Sequence, residues 1–63
     1  MVTYKTEFQA LNKAVKVSKK DFADMVVVVF KKEDGLYSYA LEAEYTGRDE
    51  NICEKYLNGV MVT

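Results

Sequence analysis

Few side chains in this sequence can do chemistry alone, and their spacing narrows the choice further. Cys53 is the only thiol, and the chain has no His. A reactive cysteine needs a base or a cationic setting to become a thiolate. Cys53 stands instead beside Ile52, Tyr56 and Leu57, and it reads as a small buried hydrophobe. A zinc site wants about four nitrogen or sulfur ligands, which one Cys and no His cannot provide. Glu42 and Glu44 lie two apart on an expected strand, so they share a face at roughly 7 Å, taking about 3.4 Å per residue. Carboxylates at that separation serve glycoside hydrolysis. A chain of 63 residues leaves little room for the concave pocket such chemistry needs. Asp49, Glu50 and Glu54 lack the alternating spacing of a calcium loop. The composition points away from an enzyme, a cofactor or a bound metal.

Binding is the remaining kind of chemistry. Lys13, Lys16, Lys19 and Lys20 form a basic patch, with Lys31 and Lys32 further on. Phosphate contacts from such lysines give salt-dependent, non-specific nucleic-acid binding. Base readout leans on Arg, and the single Arg, Arg48, lies in the acidic half. A solvated helix face is the more ordinary use of these lysines. Tyr37 and Tyr39 have the spacing of a base-stacking platform. Leu41 and Ala43 share their face, however, which favours core or interface use of the tyrosines. Residues 1–32 carry a net charge of +4 and residues 33–63 a net −5. Such asymmetry marks a nucleic-acid or partner surface, or two halves that face each other within one chain or across a dimer. The acidic half is suited to attract a basic protein surface, as some small phage and mobile-element proteins do; the analogy is one of size and charge only.

These residues must be positioned by one small domain, 1–63. Leu, Ile, Val and Phe supply 17 residues and net charge is only −1, unlike a disordered chain. The longest apolar run, Met25–Phe30, is six residues, too short for a membrane span. The first residues lack a signal-peptide core. With a lone cysteine, this leads us to expect the reducing cytoplasm.

Thr6-Glu7-Phe8-Gln9 has the form of a capping box. Phe8, Leu11 and Val15, with Ala14 beside them, then form one helical stripe. A helix is expected from about Thr6 to Val17. Residues 14–24 admit three readings: one helix running on to about Asp24, a stop followed by a short second helix carrying Phe22 (slightly favoured), or a short strand at 14–17. Met25–Phe30 reads as a strand buried on both faces and central in its sheet. Asp34-Gly35 signals a hairpin, and Leu36 to Tyr45 alternates. A two-residue turn pairs Phe30 with Tyr39, Val28 with Leu41 and Val26 with Ala43 on one apolar face. The reverse face then pairs Val29 with Ala40, Val27 with Glu42 and Met25 with Glu44. A three-residue turn slips this pairing by one. Asp49 caps an expected helix from Glu50 to about Asn58, with Ile52, Cys53, Tyr56 and Leu57 inward and Gly59 at its C-terminal cap. Met1–Lys5 and Val60–Val62 are expected short end strands.

The expected fold is α+β: a small antiparallel sheet on a central hairpin (25–32/36–45), with two helices on one face. The order β-α-β-β-α-β is that of a minimal ferredoxin-like split βαβ. The expected function is non-enzymatic, by protein–protein contact, as a regulator or inhibitor with an unidentified protein partner. Self-association is expected because so small a domain often lacks core to spare. The expected interface is the mixed face: Met25, Val27, Val29, Ala40, Glu42 and Glu44. The alternative is nucleic-acid binding through Lys13, Lys16, Lys19 and Lys20.

Overall fold

The structure, a computed structural model, describes residues 2–62. It is an α+β domain with one helix, α1 (Glu7–Lys19), and four strands: β1 (Val26–Lys31), β2 (Tyr37–Leu41), β3 (Ile52–Leu57) and β4 (Val60–Val62). All pairings are antiparallel and the sheet order is β2-β1-β3-β4. The valine strand is therefore interior. Val27, Val28 and Val29 are fully buried, each worth about 1.5–3 kcal/mol of transfer free energy.

The helix starts at its expected cap: the Gln9 backbone N–H donates to Thr6 Oγ1 at 3.2 Å. Its inward stripe is rotated from the expected one. Ala10, Ala14, Val17 and Ser18 are buried, a spacing of i, i+4, i+7, i+8. Leu11 and Val15 flank the core, and Phe8 is 69% exposed. Alanines beneath the helix let its backbone sit close to the sheet, so the larger residues are pushed to the side. No strand forms at 14–17 and no second helix follows. Residues 20–24 turn, with the Phe22 N–H donating to the Val17 carbonyl at 2.8 Å, and Phe22 packs against the core.

The β1–β2 hairpin uses the slipped register. Val29 opposes Tyr39 and Val27 opposes Leu41. Its loop is Glu33-Asp34-Gly35, with Gly35 at φ 87° and its N–H donating to the Lys32 carbonyl. A turn closed by a left-handed glycine is the three-residue hairpin solution. The slip places Val27 and Val29 under the helix with Tyr39, Leu41 and Tyr56. Val28 and Phe30 face the other way, with Ala40 and Ser38 opposite.

The expected second helix is the strand β3. Ile52–Leu57 pairs along β1, with a bulge where Val29 opposes Glu54 and Phe30 opposes Ile52. An interior strand needs neighbours on both sides, and β2 supplies only one. Asn58 (φ 52°) and Gly59 (φ 82°) then form a two-residue hairpin into β4. Positive φ at both central residues is the type I′ geometry; Gly59 is a turn residue, not a helix cap. The βαβ order gives way to one helix followed by four strands. Of the expected first strand, Met1 lies outside the described residues, and Tyr4 makes a single antiparallel bridge with Tyr37.

Two clasps hold the hairpin ends. Ser18 Oγ donates to the Val15 carbonyl at 2.9 Å and accepts from the Gly59 N–H at 2.8 Å. The Asp24 N–H donates to Asn58 Oδ1 at 2.8 Å, and Asn58 Nδ2 donates back to Asp24 Oδ1 at 3.1 Å. Both partners sit at positive φ, the conformation Asn and Asp tolerate best among non-glycines. No helix among the described residues is long and apolar enough to cross a membrane.

Candidate functional site

The second face of the sheet carries its own lid. After β2 the chain makes two 3₁₀ turns, Glu42–Glu44 and Asp49–Asn51, and folds back across β1. The Tyr45 ring lies 4.7 Å from that of Phe30, and Tyr45 Oη donates to the Arg48 carbonyl at 2.7 Å. Gly47 is needed here, because an added Cβ would meet the Tyr45 ring. Desolvation first, and the Asp49 carboxylate second, push the Tyr45 hydroxyl pKa up. Lys55 Nζ donates to Glu42 Oε2 at 2.8 Å, and that bond raises the ammonium pKa. The chain therefore supplies cover that the sequence led us to expect from a second subunit.

The six expected interface residues do not form one surface. Val27 and Val29 are sealed beneath α1. Met25 is exposed just before β1, and Ala40 is half-buried on the opposite face. Glu42 and Glu44 sit in a 3₁₀ turn, not on a strand, and Glu42 is paired with Lys55. The one-residue slip and the early end of β2 cause this dispersal.

Lys13, Lys16, Lys19 and Lys20, on α1 and its C-cap, line one shallow depression together with Asp21. The Lys19 stem also passes over Gly59. All four lysines are exposed. Lys32 pairs with Asp34 at the far hairpin. Tyr37 and Tyr39 are half-buried, the first bridged to Tyr4 and the second stacked on the Tyr4 ring at 6.4 Å; they display no open stacking platform. Cys53 is half-buried. Burial pushes its thiol pKa up, and the Glu7 carboxylate pushes it further, the reverse of thiolate activation. Among the described residues, no group of three metal-ligating side chains converges.

What sequence reasoning missed is an open edge. The β2 edge is guarded: Tyr4 and Tyr37 exchange two backbone hydrogen bonds at 2.8 Å, and Ser38 Oγ donates to the Val2 carbonyl. The β4 edge has no neighbour among the described residues. Val60 is 67% exposed, Met61 50% and Val62 37%. Leu57 and Val60 flank the two-residue loop, so they form a hydrogen-bonded pair. Antiparallel alternation makes Tyr56 and Met61 the next, non-hydrogen-bonded pair. The Met61 N–H and C=O therefore point outward. The Asn58-Gly59 pair was the available sequence signal, since Asn-Gly between apolar runs marks a hairpin.

No family model, curated protein or solved structure matches this chain.

Proposed function

We propose that this chain is a non-enzymatic protein that acts by contact with another polypeptide, received as an added strand on the edge of β4. The supporting observation is the unguarded strand Val60–Val62, apolar on both faces. Natural edges are normally blunted by charge, Pro or cover, and this one has no charge and no Pro. Its backbone offers a donor and an acceptor at Met61, the requirement for strand addition. The test is affinity capture from native extract with wild type and with Met61→Pro. Proline deletes the outward donor and leaves the β3–β4 ladder bonds of Val60 and Val62 in place. A polypeptide held by wild type and lost with the variant is the expected result. The same captured set for both would refute the reading.

The alternative, nucleic-acid binding by Lys13, Lys16, Lys19 and Lys20, has thinner support. Asp21 shares the lysine depression, and Lys19 leans on Gly59. Lys16→Glu with Lys20→Glu abolishes a low-salt gel shift if this alternative holds; no shift by wild type ends it.

A further inference from the structure

The β4 edge is self-complementary, and from this we propose that its occupant is a second copy of the chain, joined β4 to β4 in antiparallel fashion about a two-fold axis at Met61. The inference rests on the contact reading above and names the partner. Only Met61 presents an outward donor and acceptor on this three-residue strand. A dyad through Met61 pairs them reciprocally: each Met61 N–H donates to the Met61 carbonyl of the other copy. A one-residue slip sets these groups against Val60 or Val62, whose N–H and C=O already face β3. The two four-stranded sheets become one of eight strands, and both exposed edges disappear.

The side chains agree with this register. Val60 of one copy falls opposite Val62 of the other, twice over, on the face away from the helix. These are non-hydrogen-bonded positions, where side chains come closest. Val60 extends an apolar row, Val26–Leu57–Val60, that runs across three strands of each copy. On the helix face the two Met61 side chains meet. Ser18 marks the side of α1 that overlooks this hairpin. Leu11 and Val15 share that side by helical spacing, with the exposed Phe8 next to them.

Sedimentation equilibrium from micromolar to millimolar concentration tests the proposal. The mass is expected to rise from 7.2 kDa toward twice that value. Met61→Pro stays at single-chain mass while the Val27–Val29 amides remain protected from exchange. If proline unfolds the hairpin, Val60→Lys with Val62→Lys gives the same loss, because exposed side chains are changed and four like charges then meet. In a mixed sample of isotope-labelled and unlabelled wild type, filtered NOEs are expected between Val60 and Val62 of different copies. Single-chain mass at every concentration overturns the inference, as does a dimer that survives both variants. If single-chain mass accompanies capture of another polypeptide that depends on Met61, the contact reading stands and only the second copy is wrong. If neither is seen, both fall.

Discussion

Ser18→Ala isolates the clasp that sets the β3–β4 hairpin against the helix. Ser18 is fully buried. Its hydroxyl donates to Val15 within the helix and accepts from the Gly59 N–H, 41 positions away in sequence. Alanine fits the space but removes the acceptor. A partly buried N–H left without a partner costs about 1–3 kcal/mol, and the part-buried site argues for the lower half of that range. Against this, alanine improves helix propensity by roughly 0.5 kcal/mol. Loss of the hydroxyl bond back to Val15 has little effect, since such bonds slightly destabilise helices. The net destabilisation is about 0.5–1.5 kcal/mol. At about 4–8 °C per kcal/mol for a domain this small, Tm falls by roughly 2–12 °C. Thermal unfolding by circular dichroism measures the fall. Native-state exchange adds a site-specific readout: the Gly59 amide loses protection well beyond the global change. An unchanged Tm with Gly59 still protected would refute the argument that this bond anchors the hairpin.

Three further outcomes follow from the packing. Val27→Glu puts a carboxylate beneath Ala10, Ala14 and Tyr56, so it unfolds the chain; a folded but merely dissociated variant in circular dichroism and sedimentation would contradict the burial described. Gly47→Ala drives the Tyr45 ring off Phe30, costs up to about 1 kcal/mol, and changes the near-ultraviolet tyrosine signal; an unaltered signal counts against the lid. Cys53 reacts with a maleimide at pH 8 more slowly than a free thiol, and Glu7→Gln speeds it, because burial and Glu7 hold the thiol protonated. The same direction governs stability. Cys53, Tyr45 and Tyr56 are all raised in the folded state, so the folded chain holds more protons. Their contribution is complete below the unfolded values, about pH 8.5 for Cys and 10 for Tyr, and is lost as pH climbs through the folded ones. Denaturant midpoints taken upward from neutrality should therefore decline from about pH 8.5; a rise there would reverse the sign.

Local chemistry alone was enough to reveal the helix cap at Thr6, the buried β-branched strand 26–30 and a hairpin at Gly35. Each depends on neighbours a few residues apart: a hydroxyl and an amide, a run of branched side chains, a residue free to take positive φ. The helix expected after Asp49 gives way to β3 for a reason of the same kind. Ile52, Cys53, Tyr56 and Leu57 fit a helical stripe as well as a strand, and Gly59 fits a helix cap as well as a turn. The choice belongs to β1, which has backbone groups to satisfy on both sides and only β2 to satisfy one of them. The helix stripe was settled likewise by long-range packing, with Ala10 and Ala14 against the sheet, whereas the hairpin register follows from the three-residue loop closed by Gly35. The candidate site was the least legible part. An exposed edge is a property of the assembled sheet: Val60, Met61 and Val62 look like any short apolar run until β3 occupies one side of them and nothing described occupies the other.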